Sequence, residues 1–220
     1  MNAAPIFLSA SVPNRDLQTY VPDPVAIREA VRALVGITLA VPGRLLIFGG
    51  HPAISPMVWE DAESLGAVDR IYIFQSELFR PVVPPQAHFF EALKHLVWTP
   101  AVPDPDQKIA RDRSLDLMRR AMIERRVLDA RKVYDPAAPA DFAEYSAGVF
   151  IGGMDGIEDE WSRFRGHYPS AKALLVASTA GAARLLMDDP NRVPNYSPPE
   201  RRLLERDRRY RFVFRSLLPP

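Results

Sequence analysis

The chain has 220 residues, 47% of them apolar and 25% charged, which suits one large domain, or one domain with an added terminal element, around a substantial core. Its 28 basic and 27 acidic side chains nearly cancel, so no overall field draws it to nucleic acid or to an anionic membrane. It contains no cysteine, which excludes disulfides, thiolate catalysis and cysteine-based zinc sites and fits a cytoplasmic protein.

Short apolar runs ending in small residues recur along the chain, each followed by a helical pattern. The first, Ile6-Phe7-Leu8, stops at Ser9-Ala10-Ser11 and is far shorter than the roughly 7–15 apolar residues of a signal peptide. Asp23 then offers an N-cap and Pro24 a first helical position, with Ile27, Val31 and Leu34 on one face. Leu45-Leu46-Ile47-Phe48 ends in Gly49-Gly50-His51-Pro52, and Ser55-Pro56 begins a helix running to about Leu65. Arg70-Ile71-Tyr72-Ile73-Phe74 is a third strand. The proline-rich stretch 81–105 is less regular, with one helix expected from Gln86 to Leu96.

A long helix is expected from about Gln107 to Leu128, since Leu115, Met118 and Met122 fall at helical spacing. Two more strands, Gly148-Val149-Phe150-Ile151 and Leu174-Leu175-Val176, again end in small residues. The tail from Glu200 to Leu218 reads as one final charged helix. Strands alternating with helices predict an α/β fold, a Rossmann-like doubly wound and mostly parallel sheet with helices on both faces. Residues 1–190 are expected to form that domain, and 191–220 a charged helical extension packed on it or on a partner. No stretch approaches the roughly 18–20 apolar residues of a membrane-spanning helix, so no membrane partner is expected.

In such a sheet, ligands bind beyond the carboxyl ends of the strands. Four such ends carry small residues: Ser9-Ala10-Ser11, Gly49-Gly50, Gly152-Gly153 and Ser178-Thr179-Ala180-Gly181. Small residues let a ligand approach the backbone, and the amides of the following helices can hold an anion. Ser9, Ser11, Ser178 and Thr179 can donate to phosphate oxygens. One glycine pair alone would serve equally well as a tight turn; four at equivalent places indicate a shared pocket. His51 can contact a phosphate or a base, or simply stabilise its loop. His88, His95 and His167 show no metal-ligand spacing, so neither a metal nor a cofactor is expected.

The most informative stretch runs from Phe150 through Gly152, Gly153, Met154, Gly156 and Glu158 to Glu160: a strand, a glycine turn, then acidic residues in the first helical turns. Acidic groups there also suit the helix dipole, yet a carboxylate beside such a turn can hold ribose hydroxyls or act in acid–base work.

Taken together and in order, IFLSASVP, LLIFGGHPAISPMV, RDRSLDLMRRAM, VFIGGMDGIEDE and LLVASTAGAARLL resemble the SLOG superfamily from Ile6 to about Leu186. That superfamily includes LOG-type phosphoribohydrolases, the DNA-processing DprA/Smf proteins, and ligand-sensing domains of TRPM channels and anti-phage systems. The stretches here look most like the prokaryotic clusters associated with TIR and other phage-defence proteins. The LOG resemblance implies an Arg before the glycine strand and a Glu after the turn that together serve cleavage of a nucleotide N-glycosidic bond. Arg113 and Arg119 are the nearest candidates for that arginine, and Glu158 and Glu160 for that glutamate. This turn departs from the LOG pattern P-G-G-x-G-T-x-x-E: Ile151 replaces the proline, one residue is added between the glycines, and Ile157 stands at the phosphate-binding threonine.

The leading expectation is therefore a cytoplasmic sensor that binds a nucleotide-derived small molecule, an ADP-ribose-type or cyclic nucleotide signal. It would work in a defence or stress pathway and report to an effector protein or through homo-oligomers. The alternative is a nucleoside 5′-monophosphate phosphoribohydrolase using Arg113 or Arg119 with Glu160. Binding of single-stranded DNA, implied by the DprA side, lacks the clustered basic residues that neutralise a backbone. The Arg-rich tail is interleaved with Glu200, Glu205 and Asp207 and reads as a solvated or partner-facing helix.

Overall fold

The computed structural model describes residues 3–13, 19–21, 23–83, 87–93, 95–126, 134–135, 137, 140 and 143–220. Six strands build one sheet in the order β4-β3-β2-β1-β5-β6. They are β1 (Ile6–Ser11), β2 (Leu46–Gly49), β3 (Ile71–Ser76), β4 (Leu96–Thr99), β5 (Ala147–Gly152) and β6 (Lys172–Val176). Every pairing between these strands is parallel, as the mostly parallel sheet expected from the sequence requires. β5 is buried along its whole length, as expected of a strand covered on both faces.

The chain steps outward from β1 to β4, then returns to the centre and steps the other way through β5 and β6. The direction reverses between β1 and β5, whose register pairs Ser11 with Gly152 at their carboxyl ends. That is the switch point at which a crevice opens in a doubly wound sheet.

Helix α1 (Pro24–Leu39) starts as its sequence dictates, with Asp23 Oδ1 accepting the Ala26 N–H at 3.0 Å and Pro24 in the first turn. Its apolar face packs on the sheet, and its flanks meet α2 (Ser55–Ser64) and α8 (Tyr210–Leu217). Trp59 of α2 stacks on Phe89 of α3 (Ala87–Ala92) at 4.7 Å, extending that layer. The other face is covered by α4 (Gln107–Glu124) over β2, β3 and β4 and by α5 (Asp155–His167) over β1 and β5. Phe164 of α5 stacks on Phe7 of β1 at 5.3 Å within an aromatic cluster that includes Phe150 and Tyr145.

Three expectations change. The helix expected through Leu96 ends at Ala92, and Leu96-Val97-Trp98-Thr99 is instead the buried edge strand β4. Its β-branched and aromatic side chains suit a sheet face, and the following Pro100 stops it. The long helix α4 ends at Glu124 with Arg125 in the left-handed region (φ 59°), and the expected end at Leu128 lies outside the described residues. The tail is two helices, α7 (Pro198–Arg206) and α8, rather than one. Asp207 breaks it by accepting the Arg209 backbone N–H on its own carboxylate at 2.9 Å, a local turn that competes with helix. Leu204, Tyr210, Val213, Phe214 and Leu217 of these helices are buried in the same core as the sheet.

After β6 the backbone turns through Ala177–Thr179 into α6 (Gly181–Asp188) and is pinned to the end of β5. The Gly152 N–H donates to Thr179 Oγ1 at 2.8 Å, and the Ala182 N–H to the Gly153 carbonyl at 2.9 Å. Gly181, at φ 61°, lies so close that an added Cβ would stand 2.7 Å from the Gly153 oxygen. Ala180 sits at φ 60°, ψ −154°, a conformation costing a residue with a side chain about 1–3 kcal/mol and natural only to glycine. Ala180→Gly is therefore expected to stabilise the fold by about 1 kcal/mol after the larger chain entropy of glycine is subtracted. Urea denaturation should show a higher midpoint at unchanged slope; a lower midpoint would mean that the alanine methyl contributes packing that outweighs its strain.

Candidate functional site

The strand ends at the switch point open into a cleft of about 870 Å³, within the range of small-molecule sites. One wall is the turn after β2. The Gly50 N–H donates to the Phe74 carbonyl at 3.0 Å, and the Gly50 carbonyl accepts from Gln75 Nε2 at 2.7 Å. Gln75 Oε1 accepts the Ser76 N–H at 2.9 Å, so this buried amide is tied on both sides and holds the turn. His51 follows; its carbonyl accepts from the Ser55 hydroxyl and its Nδ1 from the Ala53 N–H at 3.2 Å. Burial lowers the His51 pKa and so favours the neutral ring. Beside it, Phe79, Val82 and Val83 from the turn after β3 form an apolar flank.

The opposite wall is made by α4 and α5. Arg111, Leu115, Met118 and Arg119 share the face of α4 turned to the cleft. The first turn of α5 brings Met154, Asp155 and Gly156, and Glu160 lies one turn further in. Ser9 Oγ donates to Glu160 Oε2 at 2.6 Å, and Arg119 Nε reaches Glu160 Oε1 at 3.4 Å. Arg119 Nη1 also meets Asp159 Oδ2 at 3.3 Å. Asp159 in turn accepts from Arg163 Nε at 2.9 Å, and Arg163 pairs with Asp116 of α4. Arg119 lies across Gly156, where an added Cβ would stand 2.6 Å from its Nη2. With a side chain only 13% exposed, Glu160 has its pKa raised by burial, while Arg119 and Ser9 pull it back in part.

A family model described as LD_cluster3, the SLOG cluster3 family, matches residues 19–134 and 140–218. The chain belongs to the SLOG cluster3 family. The match continues through α7 and α8, beyond the segment whose motifs carry the sequence resemblance. Comparison with curated proteins returns no match. Among solved structures the chain is similar to the X-ray structure of TM1055, a structural genomics target, at 14% identity and a TM-score of 0.46 over 88% of this chain and 87% of that chain.

In this SLOG cluster3 chain the cleft collects Ser11, Gly49, Gly50, His51, Met154, Gly156, Arg119 and Glu160 from the residues singled out by sequence. Ser9 stands beneath it and holds Glu160 instead of facing the opening. Gly152, Gly153, Thr179 and Gly181 are used by the chain itself, in the close contact between the ends of β5 and β6. Ser178 Oγ donates to the Asp207 carbonyl at 3.4 Å, away from the cleft. Glu158 points to the other side of α5, where Tyr20 donates to it at 3.0 Å and Arg192 pairs with it. Burial and that carboxylate push the Tyr20 pKa up to about 12. Arg113 turns outward to Asp104 at 2.8 Å.

Several lining residues were missed by sequence. Arg111 and Leu115 precede Arg119 by eight and four positions and so share its helix face, whereas Arg113, six before it, is rotated by about 240°. Helical phase alone would have separated them. Gln75, Phe79, Val82 and Val83 carried no periodic signal. Among the described residues no group of three or more His, Cys, Asp or Glu is placed to hold a metal ion, and no helix is long and apolar enough to cross a membrane.

The raised pKa of Glu160 has a thermodynamic consequence. The folded protein holds the Glu160 proton more tightly than the unfolded chain does, so this group favours folding below the ordinary carboxylate range and that contribution is lost as pH rises through the raised value. Glu160→Gln does not titrate there and should gain on the wild type in melting temperature as pH rises above the ordinary carboxylate range of about 4. Thermal melts at stepped pH measure the difference; a flat or opposite trend would mean that Arg119 and Ser9 outweigh burial.

Proposed function

We propose that the cleft binds a nucleotide-derived small molecule, of the ADP-ribose or cyclic-nucleotide kind, and that the chain acts as a sensing module for it. The observation that carries this reading is the cleft itself: about 870 Å³ at the switch point, with carboxylates and arginines on the α4–α5 side and apolar side chains such as Phe79, Val82, Leu115 and Met118 on both. Apolar walls suit a heterocyclic base, and carboxylates at strand and helix ends suit ribose hydroxyls. Binding is favoured over turnover because the ionic groups of the floor are already engaged. Both Glu160 oxygens have partners, and Arg119 is shared between two carboxylates. Ile157, at the place of a phosphate-binding threonine, is buried and packs over Gly153. On this reading the signal leaves through a partner protein or through self-association.

A second reading, hydrolysis of an N-glycosidic bond, is favoured by one observation: a buried glutamate with a raised pKa stands beside an arginine inside the cleft, an arrangement suited to acid–base work. One experiment separates the two. Incubation with AMP, cyclic ADP-ribose isomers and NAD, followed by thermal shift and by chromatography, is expected to give stabilisation with the ligand recovered intact. Arg119→Ala should weaken the stabilising ligand by roughly tenfold or more, while Arg113→Ala leaves it unchanged. Free base that disappears in Glu160→Gln would establish hydrolysis instead. No stabilisation by any of these nucleotides would overturn the binding reading.

A further inference from the structure

The lining of the cleft is divided by charge. Among the described residues its lining arginines and carboxylic acids, Arg111, Asp112, Arg119, Asp155, Asp159 and Glu160, all come from α4 and α5. Among the described residues, the half built by the ends of β2 and β3 and the turns after them lends the lining none: it offers Gly49, Gly50, Gln75, Phe79 and Val82, with His51 among them. The ionic end of a ligand therefore has its charged partners on the α4–α5 side alone.

His51 supplies the polar feature of the uncharged half. Because its Nδ1 accepts the Ala53 N–H at 3.2 Å, the neutral ring carries its proton on Nε2. Nε2 has no hydrogen-bond partner among the described residues and is not among the sealed, unpaired polar atoms of the interior, while the ring lines the cleft. An oriented N–H donor is therefore presented to whatever occupies this half. The Gln75 amide nitrogen donates one of its two N–H groups to the Gly50 carbonyl and is fixed in place by that bond.

We propose that the β2–β3 half of the cleft holds the heterocyclic base of the ligand and that His51 reads it by donating its Nε2–H to an uncharged acceptor, a ring nitrogen or a carbonyl. The donor stands in the half away from Arg111 and Arg119, so its part is to discriminate among bases while the ionic end of the ligand is held on the other side. This inference rests on the nucleotide-binding reading above.

Two variants divide the imidazole into its two functions. His51→Asn keeps an acceptor near Nδ1 for the Ala53 N–H and removes the donor at Nε2; His51→Gln places an amide nitrogen near Nε2 and removes the acceptor. Calorimetric titration of wild type and both variants with adenosine and with ribose 5-phosphate is the test. His51→Asn is expected to bind adenosine roughly tenfold more weakly and ribose 5-phosphate as the wild type does, while His51→Gln retains adenosine within about threefold. In the wild type, nitrogen-15 resonances of the imidazole should report adenosine at Nε2 with Nδ1 little changed, a readout independent of how the variants fold. Equal adenosine binding by His51→Asn, or a parallel loss of both probes, overturns the assignment of His51 alone. A wild type that binds ribose 5-phosphate but not adenosine overturns the placement of the base. A wild type that binds neither probe overturns the nucleotide-binding reading beneath it.

Discussion

Holding the Glu160 carboxylate away from water, at the floor of an open cleft, is the demand that organises the surrounding elements. A buried charge is costly unless it is paired and hydrogen-bonded. Its two partners come from different places: Ser9 from the middle of the sheet and Arg119 from the last turns of α4. That requirement brings α4 against α5, and the contact continues outward as alternating charges through Asp159, Arg163 and Asp116. Gly156 is small because Arg119 must lie across it. The seam between the two helices is thus electrostatic where it borders the cleft, while the sheet face below α5 is aromatic.

The other face supports the site mechanically. Ile27 of α1 fills the space that a side chain at Gly152 would need, with its Cδ1 2.4 Å from where a Cβ would be. α8 packs on α1, and Arg208, just before α8, pairs with the cap residue Asp23 at 2.8 Å. The C-terminal helices therefore brace the helix that braces the glycine turn. Their many arginines hid this in the sequence, because the apolar residues that do the packing, Leu204, Val213 and Phe214, are outnumbered there by charge.

Most of the fold was legible because buried parallel strands announce themselves as apolar runs between turn residues. β4 was not, since four apolar residues directly after a helical pattern carry no period that separates strand from helix. In the site, the glycine turns and the choice of Glu160 and Arg119 as candidates came from motif order, but their separation from Glu158 and Arg113 depends on helical phase. Glu158 and Glu160 are two residues apart and so face nearly opposite directions on α5. The small residues after β6 were read as ligand groups, whereas they permit two backbones to touch. Sequence shows that a residue is small; it does not show what comes close to it.

The hydrogen bond from Ser9 to Glu160 joins positions 151 residues apart, and β1 meets β5 across a comparable length of chain. Such distant pairing makes closure of the central strand a late event, since loop entropy must be overcome before the contact forms. During synthesis from the N-terminus, strands β1 to β4 emerge first and leave one edge of β1 open until β5 arrives. The cleft has no floor before that moment. A molecule that fits it therefore selects chains whose two halves have already met, and its binding adds to the stability of the finished sheet by mass action.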